Sequence, residues 1–197
     1  RNLYKSQNPY FYMILIGWII IVVIALIALS FFVYYNRFAR LSNRIDNSLA
    51  QIDVQLRKRG DLVPNLVAAV KGYMTHEKKI ITEVTEARKV LIGARNIAAK
   101  VKAGDQLQKA LSTIFALAEN YPNLKANENF LQLQQELSSI EDKIAYARQY
   151  YNDSILEYNT LNTTLPGKWF AGTFGYAVRE YLQISASSKE VPKLSFE

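Results

Sequence analysis

The chain has 197 residues, half of them hydrophobic and about a fifth charged, with 13 Gly and Pro together, which is too few for a disordered or collagenous protein. It contains no cysteine and one histidine, His76, so disulfide frameworks, thiol chemistry, iron–sulfur clusters, Cys-type zinc and any site needing two imidazoles are excluded. The net charge of +7 is uneven: up to Gly104 there are 16 basic and 6 acidic residues, and beyond it 8 and 11. A uniformly basic chain would suggest nucleic acid, whereas this pattern predicts no nucleic-acid partner.

No charge lies between Lys5 and Arg37, and within that gap Met13 to Val33 is interrupted only by Gly17 and Ser30. As a helix these 21 residues reach about 31 Å, the thickness of a bilayer's hydrocarbon core. Tyr10, Phe11 and Tyr12 precede the run and Tyr34 and Tyr35 follow it, as in interfacial aromatic belts. A secretory signal has a shorter apolar region and a small-residue cleavage site, and neither is present. The reading is a transmembrane helix over about 11–35, within an N-terminal segment 1–35. Arg1 and Lys5 on one flank are outnumbered by Arg37, Arg40 and Arg44 on the other, which predicts a cytoplasmic C-terminal domain. The same three arginines are candidate lipid-facing cations, the headgroup phosphates of membrane lipids being their natural partner.

Beyond the span, Leu41, Ile45, Leu49, Ile52 and Leu56 form one helical stripe. Gly60 is then read as the residue after a helix end, with Asp61 capping a second helix and Pro64 in its first turn. That second stripe runs from Leu62 through Val70, Met74, Val84 and Leu91 to Val101, ending at Gly104. Asp105 and Gln108 resemble a capping box opening a third helix, which Tyr121-Pro122 closes. Asn127 caps a fourth, whose seam is Leu133, Leu137, Ile140, Ile144, Ala147, Tyr151, Ile155 and Tyr158. Nothing alternates with period two for long enough to form a strand. The fold class is therefore all-α: an N-terminal transmembrane helix continuing into an antiparallel four-helix bundle over 36–164.

From Leu165-Pro166-Gly167 onward the periodicity dissolves, leaving an aromatic-rich tail, 165–197, with Trp169, Phe170, Phe174 and Tyr176. These aromatics either fold back as a lid on the bundle or present an apolar patch to a partner or another copy.

Two stretches carry a resemblance. Gln51-Ile-Asp-Val-Gln-Leu-Arg-Lys-Arg-Gly-Asp-Leu-Val-Pro-Asn-Leu-Val67 with Val70-Lys-Gly-Tyr-Met-Thr-His-Glu77 is the first. Tyr121-Pro-Asn-Leu-Lys-Ala-Asn-Glu-Asn-Phe130, then Glu136 to Tyr151 and Tyr158-Asn159, is the second. Together they resemble the LemA family over about Tyr35 to Ile184. The resemblance implies a single-span bacterial inner-membrane protein with a helical bundle outside the bilayer and no known catalytic activity. It also implies a membrane metalloprotease of the HtpX type as a possible partner, and kinship with some magnetosome proteins.

No residue pattern points to chemistry. His76-Glu77 is not a His-Glu-x-x-His motif, since Ile80 stands where the second histidine belongs. Gly167-Lys168 and Gly172-x-x-Gly175 lack the strand and spacing of a phosphate loop. No catalytic residue, metal or cofactor is expected. Arg57, Lys58, Arg59, Asp61 and Asn65 are candidate interaction residues: they fix a hairpin by ion pairs with the fourth helix, or they receive an acidic partner. The leading expectation is a non-enzymatic membrane-anchored scaffold that forms homo-oligomers. A membrane-shaping protein binding anionic lipid through its basic juxtamembrane helix is the alternative, and an enzyme using His76 or acidic residues such as Glu136, Glu141, Asp142 and Glu157 the third.

Overall fold

A computed structural model describes residues 9–182. It is all-helical there: α1 (Pro9–Lys71), α2 (Lys78–Gly93), α3 (Ile97–Ala118), the single turn α4 (Pro122–Lys125), α5 (Glu128–Thr163) and α6 (Gly167–Phe174). The described residues divide into two compact units, one of those up to Asn43 with Leu156–Arg179, the other of Arg44–Ile155 with residues 180–182. Arg1 and Lys5, on which the orientation argument partly leans, lie outside the described residues, as does the tail beyond 182.

The second unit is the bundle. Its α1 stripe is Ile45, Ser48, Ile52, Leu56, Arg59, Val63, Leu66 and Val70, all buried and separated by three or four residues. That spacing keeps one face turned inward over seven turns. On α5 the expected seam holds: Leu137, Ile140, Ile144, Ala147, Tyr151 and Ile155 are buried, and Leu133 is half-buried. Directions follow from the contacts. Arg59 meets Glu141 while Tyr73 meets Asn127, so α5 runs antiparallel to α1. Lys100 pairs with Asp53 and Arg59 donates to the Gly104 carbonyl, so α3 runs parallel to α1. The Gly60–Leu91 approach places α2 antiparallel to both. The result is an up-down-up-down four-helix bundle.

Several of the expected helix boundaries require correction. First, Gly60 ends nothing: α1 runs unbroken from the apolar segment through Gly60 and Pro64 to Lys71. Pro64 has no N–H, so the Gly60 carbonyl four residues earlier loses its helical donor. Arg88 of α2 supplies the replacement, its Nε donating to that oxygen at 2.7 Å. Asp61 is accordingly an exposed mid-helix residue rather than a cap.

Second, the stripe from Leu62 to Val101 belongs to three helices rather than one. It breaks at Gly72–Glu77, where the Met74 N–H closes back on the Val70 carbonyl at 2.9 Å. It breaks again after Gly93, and Asn96 caps α3 by accepting from the Ala99 N–H at 2.8 Å. Third, Asp105 is not a cap; it sits within α3 and pairs with Arg148 of α5 at 2.6 Å. Asn127 does cap α5 as expected, accepting from Phe130 N–H at 3.1 Å.

Gly104, expected to end a helix, lies inside α3 and is buried. A Cβ there would stand 2.4 Å from Leu56 Cδ2, so its missing side chain is what lets α3 lie against α1. His76, read on a helix face, is instead exposed in the α1–α2 loop, and its neighbour Glu77 accepts from the Tyr121 hydroxyl at 3.4 Å. Burial and the Glu77 charge both hold the Tyr121 phenol above its ordinary pKa.

In the first unit, every residue from Tyr10 to Val33 except Gly17 and Ser30 is exposed. It is the one described helical segment long and apolar enough to cross a membrane. An isolated apolar surface of this length is stable only in an apolar solvent.

Candidate functional site

The basic triplet on α1 is split by the helix. Arg57 and Lys58 point to solvent, Arg57 pairing loosely with Asp53 at 3.5 Å, while Arg59 is 1% exposed. Arg59 donates to the Gly104 carbonyl at 3.1 Å and forms an ion pair with Glu141 of α5. Burial lowers its pKa to about 10, the nearby Arg148 charge adding to the shift and Asp105 opposing it. It therefore stays charged at neutral pH. Arg148, mostly buried itself, bonds Asp105 and lies 3.5 Å from the Val101 carbonyl. Arg59, Glu141, Asp105 and Arg148 thus form a polar layer tying α1, α3 and α5 together. Such a layer favours one helix register over its slipped alternatives, because each slip leaves a buried charge unpaired.

Asn65 is exposed and lines an open groove of about 470 Å³ between α1 and α5, opposite Asn129, Gln132 and Glu136. Asp61 borders a smaller hollow of about 280 Å³ with Asp53, Arg57, Ile92 and Lys100. Neither brings together a nucleophile, a base and an orienting group. Among the described residues no group of three His, Asp or Glu side chains is placed to hold a metal ion.

α5 also carries an outward feature. Tyr146 and Tyr150, one turn apart, stack nearly parallel with ring centres at 6.4 Å, and Tyr146 is 70% exposed. Tyr146 also borders a shallow groove lined by Gln51, Gln55, Asp142 and Lys143. Sequence reasoning passed over Tyr146 and Tyr150; their signal is a pair of large aromatics four residues apart on the side of the seam facing away from the core.

In the first unit the aromatics form a ladder. Phe170 of α6 packs edge-on against Phe31 at 4.7 Å and stacks on Tyr34 at 4.6 Å, and Phe174 meets Phe31 and Tyr35. Gly175, at φ 72°, ends α6 in the left-handed conformation that only glycine adopts freely. It turns Tyr176 onto Phe38, with ring centres 4.6 Å apart. Burial, with the neighbouring Tyr35 and Tyr158, raises the Tyr176 pKa. Trp169 stands apart from this ladder and is 69% exposed. The expected loss of pattern after Pro166 is therefore wrong for Gly167–Phe174, whose two turns were hidden by three glycines in nine residues.

The chain after α6 is held by asparagines of α5. Asn162 donates to the Tyr176 carbonyl at 2.8 Å, and Asn159 both donates to and accepts from the Arg179 backbone at 2.9 Å. Arg179 in turn lies over the Tyr158 ring, 5.0 Å from its centre. In the second unit Asn152 makes the same two-way bond to Leu182, and the Tyr151 hydroxyl donates to the Glu180 carbonyl. Asn152 and Asn162 were missed; with Asn159 they recur at steps of seven and three, the spacing of one helix face. Arg37 and Arg40 are exposed on the first unit, and Arg44 is exposed on the second.

Comparison with known proteins gives a consistent answer. Residues 48–196 match the model of the LemA family. Two magnetosome proteins of Paramagnetospirillum magneticum, MamQ 1 and MamQ 2, are each 24% identical, covering 82% of this chain and 68% of their own length. Magnetosome protein MamQ of Magnetospirillum gryphiswaldense is 23% identical over 75% of this chain and 64% of its own. Protein LemA of Metamycoplasma hominis is 25% identical over 68% of this chain and 63% of its own. None of these names designates a reaction.

Proposed function

The chain belongs to the LemA family, and from that premise we propose that it is a non-enzymatic, membrane-anchored scaffold whose bundle self-associates and engages a membrane protein. The observation that carries this reading is the exposed stack of Tyr146 and Tyr150 on α5. Exposed paired aromatics are costly in a monomer and are the residues that anchor protein contacts. The charged residues of the bundle interior support it from the other side, since Arg59, Arg148, Asp105 and Glu141 are engaged with one another and with backbone. A metalloprotease of the HtpX type is the partner that the family resemblance suggests. The bundle stands on the cytoplasmic face in this proposal, the side to which Arg37, Arg40 and Arg44 direct it.

The test is extraction from the native membrane in mild detergent, with particle mass and the copurifying proteins recorded for wild type and for Tyr146→Glu/Tyr150→Glu. A multi-copy particle that dissociates in the double variant supports the scaffold. A wild-type protomer of 22.5 kDa with nothing bound refutes it. A second reading, binding to anionic lipid, rests on the exposure of Arg37 and Arg40 beside the apolar helix. It requires that vesicle binding fall steeply with salt and with loss of those two charges.

A further inference from the structure

The contacts of α6 place it alongside the apolar helix itself. Pro166, Trp169, Phe170 and Thr173 face Val23, Leu26, Ile27, Ser30 and Phe31 across an almost wholly apolar groove of about 410 Å³. Counted from the aromatic rim at Tyr12, about twenty helical residues cross a 30 Å hydrocarbon layer and end near Phe32. On that count Leu26 and Ile27 lie within the last 10 Å or so of the layer, and so does what faces them. α6 is divided accordingly. Phe170 and Phe174 pack on α1, Trp169 and Thr173 border the groove one turn apart, and Lys168 is exposed. Leu165 and Trp169 are among the most exposed apolar side chains outside the span, at 65% and 69%. In water these would be a liability. At the acyl-chain boundary a tryptophan is in its preferred place, and a lysine stem reaches from there to the headgroups.

We propose that α6 is a second membrane-contacting element. It lies in the boundary between acyl chains and headgroups on the side where α1 leaves the bilayer, and a lipid acyl chain occupies the groove between Trp169 and Leu26. The continuity of the groove with the lipid-facing surface of α1 selects lipid over protein as the occupant. The proposal rests on the reading of α1 as a membrane span and extends it to a segment about 130 residues away in sequence.

Trp18 and Trp169 are the two tryptophans of the chain, which makes the test direct. The full chain is reconstituted as Trp18→Phe, leaving Trp169 as reporter, and as Trp169→Phe, leaving Trp18, in bilayers with or without dibrominated acyl chains. Fluorescence is read with and without aqueous acrylamide. The expected result is that dibrominated chains quench both reporters to losses of the same order, and that acrylamide reaches neither well. Trp18 quenched by bromine while Trp169 answers only to acrylamide overturns the α6 proposal and leaves the span intact. A Trp169 shielded from both quenchers overturns it too, in favour of cover by protein. A Trp18 that bromine does not quench overturns the span and α6 together.

Discussion

The pairing of Pro64 with Arg88 makes a sharp prediction. Replacing Arg88 with Met keeps the aliphatic stem but removes the donor from the Gly60 carbonyl, which Pro64 has deprived of its helical partner. A charge-assisted bond of this kind contributes about 1.5–3 kcal/mol when it is partly buried. For a chain of this length the loss corresponds to a Tm lower by about 3–12 °C. Introducing Pro64→Ala as well restores an N–H four residues after Gly60, and the carbonyl regains its donor. In that background Arg88→Met should cost no more than about 1 kcal/mol, a coupling that exceeds the ~0.5 kcal/mol scatter of independent sites. The assay is thermal unfolding in detergent followed by circular dichroism, over the four proteins of the cycle. Equal losses from Arg88→Met in the wild-type and Pro64→Ala backgrounds would refute the idea that Arg88 substitutes for the missing helical bond.

The two buried glycines of the bundle should answer an added methyl with opposite sign. Gly60→Ala meets Leu91 at an ordinary 3.7 Å and should stabilise by up to about 1 kcal/mol, whereas a chain that ended a helix there would lose stability. Gly104→Ala drives Leu56 aside and should cost about 1–3 kcal/mol, less its propensity gain, with denaturant midpoints reading both. Arg59→Ala, which removes the partner of Glu141 and opens a cavity, should cost about 3 kcal/mol or more, while Arg59→Met, which removes the same partner but fills the space, should recover only the cavity part; equal losses in chemical unfolding would show that the charge, not the volume, matters. Asn159→Leu removes both bonds to the Arg179 backbone, and amide exchange at Arg179 should rise more than tenfold, the equivalent of about 1.4 kcal/mol; unchanged exchange there would mean that Asn159 does not hold the tail.

What the sequence determined by itself was the class of each segment. The gap in charge from Lys5 to Arg37 defined the apolar helix, because a bilayer's thickness fixes a length and an absence of charge. The 3.5-residue seam of α5 defined one wall of the bundle, because periodicity records which face is buried. Asn127 read correctly as a cap because its role depends on neighbours three residues away.

What only the tertiary structure decided was where helices stop and what the polar residues do. Gly60 and Pro64 read as a turn because each in isolation weakens a helix, yet an arginine 24 residues beyond Pro64 satisfies the carbonyl they expose. Gly104 read as a helix end because nothing in the linear pattern records that Leu56 lies across it. Arg57, Lys58 and Arg59 are equivalent in composition, and packing alone buries the third against Glu141. The aromatic tail was legible as apolar but not as a helix against the apolar segment of α1, since its partners Phe31, Tyr34 and Tyr35 stand about 140 residues earlier. Local chemistry is written in a few adjacent residues, whereas satisfaction of a buried polar group depends on whichever element the fold brings to it.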